Sequence, residues 1–371
     1  MKILSNIVII TSLLLVCVAA QAGGLYLYES STSDIGLASA GMAARAQDAS
    51  IMQANPAGLA HVSKRSFSGS LGALYGDAEL DTFDGNAGNV IGFVPMGSAF
   101  FSQQINNIWT LGIGLYGNYG MSLKFDNLFN SVDIPVATTQ ALTLLPSASY
   151  RINEQWSLGA GLGIQYGIFK FEVQPVGSSS SWEAKDNDVQ VNGRVGVLYE
   201  LNNRTRLGLS YMSESEFEFK DKNTVTTSIA PRQMIFSIYH ELNEKLALMG
   251  NINWQDWSKY KMFTPGAETK DTYQIALGTQ YKLNGKIRWN AGFAFDNSMY
   301  ENQSHGDITV PTGRAYRFGT GVDYSLGGTR TVGVAFEAIF IDSSSVNFAN
   351  DLKVAGFNEP ALYFLSMNYN W

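Results

Sequence analysis

The chain has little charge, one thiol and no long apolar run beyond its first residues, and each shortage excludes a class of protein. Asp, Glu, Lys and Arg make up 15% of the 371 residues, against roughly 25% in soluble domains. The charge leans acidic, 32 acids to 25 bases. No nucleic acid is expected as a partner, because phosphate binding needs clustered Lys and Arg. The one cysteine, Cys17, and the three histidines, His61, His240 and His305, offer no metal-ligand spacing, and no cofactor is expected. No Ser/His/Asp arrangement is visible along the sequence, so a nucleophilic enzyme is not expected either. After residue 22 nothing approaches the ~20 apolar residues of a membrane helix.

The start reads as a leader. Lys2 precedes a largely apolar stretch over residues 3–20, and Ala20-Gln21-Ala22 forms an A-x-A site before Gly23. This is the pattern of a cleaved signal peptide over residues 1–22. Ser5, Asn6, Thr11 and Ser12 interrupt the run, against a membrane anchor, and Val16 ahead of Cys17 does not fit lipoprotein processing. Cleavage would remove the thiol, which suits an oxidising compartment.

What remains is 45% hydrophobic and 12% aromatic, with 37 glycines. Its apolar character is hidden by alternation, as in strands that face lipid on one side and a lumen on the other. At the end of the chain Tyr363, Leu365, Met367, Tyr369 and Trp371 alternate with Phe364, Ser366, Asn368 and Asn370. Trp156, Leu158, Ala160, Leu162, Ile164 and Tyr166 alternate with Ser157, Gly159, Gly161, Gly163 and Gln165. Tight polar turns such as Asn153-Glu154-Gln155 and Asn284-Gly285-Lys286 alternate with longer polar stretches near residues 77–89, 120–139, 173–187, 220–229, 258–270, 298–312 and 343–358. Periplasmic turns and extracellular loops would give this asymmetry. Fourteen strands fit between residues 65 and 371, an all-β antiparallel transmembrane barrel.

Residues 23–64 break the scheme. Residues 36–46 are rich in small residues and helix-capable, and Asn55-Pro56-Ala57-Gly58 ends them. A compact piece ahead of a barrel can hang in the periplasm or fold into the lumen. Inward glycines (Gly159, Gly161, Gly163, Gly278, Gly292) would leave room for the second.

Gly36-Leu37-Ala38-Ser39-Ala40-Gly41, Asp48-Ala49-Ser50 and Asn55-Pro56-Ala57-Gly58 resemble the N-terminal hatch of the FadL family, which transports long-chain fatty acids or aromatic hydrocarbons across the outer membrane. Further likeness lies at Gly117-Asn118-Tyr119-Gly120 and through Leu145-Pro146-Ser147-Ala148-Ser149-Tyr150-Arg151-Ile152-Asn153 into Trp156-Ser157-Leu158-Gly159-Ala160-Gly161. The resemblance covers essentially the whole mature chain. It implies a hatch (residues 23–64) inside a fourteen-stranded barrel (residues 65–371). It also implies a third strand, here residues 108–119, kinked inward to open a side window to the bilayer at Gly117, Asn118, Tyr119 and Gly120.

A poorly soluble cargo gains from apolar sites that hand it sideways into lipid, since water exposure costs about 0.8 kcal/mol per methylene. Phe125, Leu128 and Phe129, spaced for a short amphipathic helix, together with Phe169, Phe171 and Trp182, are the expected landing patch in the loops. A carboxylate headgroup would want an inward cation in a low-dielectric lumen. Strand parity turns Arg194, Arg288 and Arg317 inward, and mid-strand Arg194 and Arg317 are the candidates. Asn55, Pro56 and Ala57 are the expected gate of the hatch. The expected partners are a hydrophobic ligand, outer-membrane lipid and lipopolysaccharide, with barrel-assembly machinery during insertion, for a protein acting as a monomer. Rival readings are aromatic-hydrocarbon uptake on the same scaffold, a general diffusion porin without a hatch, and an adhesive barrel.

Overall fold

A computed structural model of the chain describes residues 26–221, 224–348 and 352–371. The expected leader, Cys17 and residues 23–25 lie outside the described residues. Fourteen antiparallel strands close into one barrel. In chain order they are β1 (Arg65–Asp77), β2 (Gly92–Gln104), β3 (Trp109–Leu128), β4 (Val132–Arg151) and β5 (Trp156–Pro175). There follow β6 (Trp182–Asn202), β7 (Thr205–Met212), β8 (Gln233–Glu241), β9 (Leu246–Gln255) and β10 (Thr272–Lys282). The last are β11 (Ile287–Asp296), β12 (Ala315–Gly327), β13 (Arg330–Ile341) and β14 (Ala361–Asn370). Each strand pairs with its neighbour in sequence, and β1 closes on β14 with Ser68 opposite Asn370.

The alternation read in the sequence becomes the two faces of the wall. On β14, Leu365, Met367 and Tyr369 are exposed outward while Phe364, Ser366 and Asn368 are buried inward. Closure leaves no ladder edge for lipid to meet. The connections differ from expectation in one respect. Residues 120–139 and 173–187 are mostly strand, because β3 and β4 stay paired up to Leu128 and Val132, and β5 and β6 up to Val173 and Trp182. Their inward positions are apolar enough to carry a packed interior. Over the barrel mouth, Glu79–Thr82 and Gly85–Asn89 join Ser344–Phe348 and Leu352–Phe357 in a four-stranded sheet.

Residues ahead of β1 fill the lumen. An arm, Tyr26 to Ser31, leads into α1 (Thr32–Gly36), whose N-cap Ser31 accepts from the Asp34 N–H. Tight turns follow, then α2 (Ile51–Ala54) and a 3-10 helix over Pro56–His61. Residues 36–46 are therefore not the helix their composition allows. Ala38, Ser39 and Gly41 take φ of 47°, 65° and 70°, which a helix cannot use. The wall dictates this winding. The Gly41 N–H donates to Asn251 Oδ1 (2.8 Å) and the Ala43 N–H to Ser237 Oγ (3.1 Å). Backbone groups left unpaired by the turns are satisfied by barrel side chains. Glycines let the two approach. A Cβ on Gly159, Gly208, Gly292 or Gly319 would collide with backbone of Ala57, Ala43, Leu37 or Ile35 respectively. The hatch thus rests on bare backbone from four strands spread around the ring.

Candidate functional site

Above the hatch the lumen holds one continuous apolar cluster. Tyr119, Met121, Leu123 and Phe125 of β3 meet Phe217 and Phe219 of the hairpin between β7 and β8, Trp257, Met299 and Tyr300 of the loops, and Phe357 of the lid sheet. The Phe125-to-Phe129 segment is not an open amphipathic helix. It is the end of β3, with Phe125 and Leu128 turned into this cluster and buried. Pairing with β4 holds the strand extended, and the interior offers these rings more burial than solvent does. Phe169 and Phe171 are half-buried against the same cluster, and the Phe169 ring stacks on Phe219 at 5.4 Å. Trp182 stands exposed at the rim beside Phe171. At the mouth the half-buried Phe129 carries a partner that the sequence did not single out: the exposed Phe83 of the first loop, stacked on it at 5.7 Å.

The two candidate arginines have different surroundings. Arg317 on β12 is fully buried and spoken for. Its Nε donates to Asp296 Oδ2 at 2.5 Å, and its Nη1 meets Glu29 of the hatch arm. Unlike the free headgroup cation expected from the sequence, it ties the hatch arm to the wall through two acids. The reason is parity: Asp296 lies on the adjacent strand with its side chain on the same face. Arg194 on β6 lies at the floor of the apolar cluster, 2% exposed. Its Nη2 reaches Met212 Sδ (2.7 Å) and Tyr26 Oη (3.4 Å), while Nε and Nη1 have no hydrogen-bond partner. Among the described residues no carboxylate lies within ion-pair distance of it. A buried cation without an anion carries a large desolvation penalty, and such a site is poised to receive one.

The third strand leaves its ladder. β2 and β3 pair from Gln104–Thr110 up to Ser98–Tyr116 and then separate. Above that point the ladder of Gly92 to Gly97 runs to β1 and that of β3 to β4, its register slipping between Gly117 and Tyr119. Gly120 has φ 124°, and a Cβ there would meet the backbone of Thr139 and Gln140, so glycine alone fits. The gap is bounded above by the Lys124 N–H donating to the Val90 carbonyl at 2.9 Å. The hatch arm fills it. Tyr26 forms an antiparallel bridge with Tyr119, and Ser98 Oγ donates to the Ser30 carbonyl at 2.7 Å. A small cavity remains there, lined by Glu29, Ser30, Ser70, Ser98, Gly117 and Ser366.

Asn55, Pro56 and Ala57 form the start of the 3-10 helix and are buried. Asn55 caps it, accepting from the Ala57 N–H (3.1 Å) and donating to the carbonyls of Ala43 and Val197 (both 2.9 Å). Pro56 occupies the first helical position, where no N–H is needed. At the other end of this helix His61 shares Ser157 through Nε2 (3.0 Å) and Glu200 through Nδ1 (3.1 Å). The order is that of a Ser–His–acid set, formed by residues that no sequence spacing connects. Ser157 is fully buried, so no substrate can reach it. Burial and the nearby Arg151 and Arg206 guanidiniums push the His61 pKa down from 6.5 to about 4, outweighing Glu200 and leaving a weak base. The set fastens the hatch to the wall. Because the neutral ring is favoured only when docked, this fastening is complete above about pH 6.5 and is lost as pH falls through about 4. Protection factors of the amides in residues 57–62, taken against the intrinsic exchange rate at each pH, should fall by about a hundredfold between those limits, and His61→Ala should flatten the profile.

The comparisons agree with this architecture. A family model described as "Outer membrane protein transport protein (OMPP1/FadL/TodX)" matches residues 13–370. "Outer membrane protein P1" of Haemophilus influenzae is 24% identical over the full length of both chains. The "Long-chain fatty acid transport protein" of Escherichia coli (strain K12) is 24% identical over 90% of this chain and 91% of its own. Among solved structures, a Pseudomonas aeruginosa FadL homologue superposes with a TM-score of 0.80 at 18% identity, covering 94% of this chain and 99% of the other. The toluene transporter TodX of P. putida superposes at 0.67 and 14% identity, over 92% and 97% of the two chains. Strand count, closure and the match over almost the whole sequence lead to one assignment: the chain belongs to the OMPP1/FadL/TodX family of outer-membrane transport proteins.

Proposed function

We propose that this protein takes up long-chain fatty acids, holding the acyl chain in the apolar cluster and the carboxylate on Arg194, and releases them through the gap between β2 and β3. The observation that carries this reading is Arg194: a cation 2% exposed, without a carboxylate partner among the described residues, beneath more than a dozen apolar side chains. Uncharged toluene would leave that charge unpaired. The hatch, hydrogen-bonded to opposite walls, argues against an open axial pore, and a porin reading loses its basis. Release then requires movement of the arm at Tyr26 to Ser31, the one part of the hatch seated in the gap. The Asn55–Ala57 turn, with three hydrogen bonds, serves as its anchor in this reading, and Phe83 with Phe129 offers the first apolar contact at the surface. Mass spectrometry of gently extracted protein should recover long-chain acids. Deleting Asn118, which removes the register slip and lets β3 pair straight along β2, should leave binding intact and lower uptake about tenfold; unchanged uptake would reject the lateral route.

A further inference from the structure

The back wall of the gap carries more acid than base. Around the single Arg317 guanidinium stand Asp296 of β11, Glu29 of the arm and Glu337 of β13. Asp34 of α1 is nearby but is taken by Arg45 at 2.5 Å. Glu337 sits two positions along from the partner of Arg317 in the β12–β13 ladder, with its side chain on the same inward face. It is completely buried, and neither of its oxygens has a hydrogen-bond partner among the described residues. The charged groups facing it are Glu29, Arg317, Asp296 and Asp34. Glu29 uses Oε1 on Arg317, while its Oε2 is buried without a partner. Glu29 is also the acid that lines the serine-walled cavity at the gap. Three carboxyls beside one guanidinium, away from water, cannot all be ionised.

We infer that this cluster is a proton donor for the departing cargo: a proton held between Glu337 and Glu29 passes to the fatty-acid carboxylate at the gap, so the cargo enters the bilayer as the neutral acid. This inference rests on the fatty-acid reading above. One O–H bond breaks on the protein carboxyl and one forms on the cargo. The protein regains its proton from water reaching the cavity past Ser98 and Ser366. The need is physical. An ionised carboxylate would have to pass the Glu29 carboxyl and then enter hydrocarbon, where a charge is strongly disfavoured, whereas a neutral carboxyl meets neither obstacle.

The test uses the full-length protein in liposomes, with palmitate and hexadecanol, which share a chain length and differ in the headgroup. In Glu337→Gln, which keeps the shape and removes the proton store, palmitate release at neutral pH should fall about tenfold while hexadecanol release is unchanged. Lowering the pH to about 5, where free carboxylic acids begin to protonate, should restore palmitate. Glu29→Gln, less conservative because it also loosens Arg317, should show the same split. Equal losses for both cargoes, or no loss for palmitate, would overturn the proton step while leaving palmitate binding intact. Failure of the unaltered protein to bind palmitate would instead overturn the Arg194 reading and this inference with it.

Discussion

Arg194→Met should lower palmitate affinity about a hundredfold and raise the melting temperature of the barrel, two shifts that rarely travel together. The binding loss follows from removing the one cation at the floor of the apolar cluster, since breaking a buried charge pair with a ligand costs about 2–5 kcal/mol. The stability gain follows because the empty protein buries that charge without an anion, and replacing an uncompensated charge with an apolar side chain of similar length is neutral or favourable. Met212 and Tyr26 already offer the new side chain apolar surroundings. Displacement of a fluorescent fatty acid and a thermal melt check the two halves. Unchanged palmitate affinity would move the headgroup elsewhere, and unchanged toluene uptake beside lost palmitate binding would mark the residue as the basis of selectivity.

Gly292→Val should unseat the hatch and turn a closed barrel into a leaky one. A Cβ at this position would overlap the carbonyl of Leu37, and a branched side chain cannot rotate out of the way. Neither surface can yield cheaply, because β11 is locked between β10 and β12 and the hatch turn is held by Asn251 and Ser237. The expected result is a rise in single-channel conductance of about tenfold or more in planar bilayers, with barrel insertion preserved. Gly285→Val is the control. It lies in a tight turn between β10 and β11, and a Cβ there meets nothing. Equal behaviour of the two variants would mean that the hatch does not depend on its glycine seat.

These outcomes bear on how lumen chemistry is built in such a chain. Arg317 and Arg194 share strand parity, burial and residue type, yet one holds the hatch arm and the other meets no acid among the described residues. The difference comes from Asp296 and Glu29, which meet Arg317 across the ladder and from the arm. Among the described residues no comparable acid is brought to Arg194. Sequence spacing carries no information about that, because the partners sit 21 and 288 residues away. The same holds for Ser157, His61 and Glu200, joined only when the hatch folds back against β5 and β6.

The sequence by itself determined the barrel: alternation decides which side chains face lipid, and tight polar turns against longer connections decide the strand count, because both are local properties of an extended chain. It also marked the hatch as a foreign piece, through the loss of alternation before Arg65, and marked Gly117 to Gly120 as an irregular stretch of the third strand. Only the tertiary structure decided what each lumen residue does. It turned residues 36–46 from a possible helix into wall-bound turns, drew Phe125 and Leu128 inward, committed Arg317 to the arm and left Arg194 without an acid among the described residues. The physical reason is that inside a closed barrel every polar group must find its partner across the lumen. That pairing depends on which strands stand opposite and how the hatch winds between them, distances that a one-dimensional pattern does not contain.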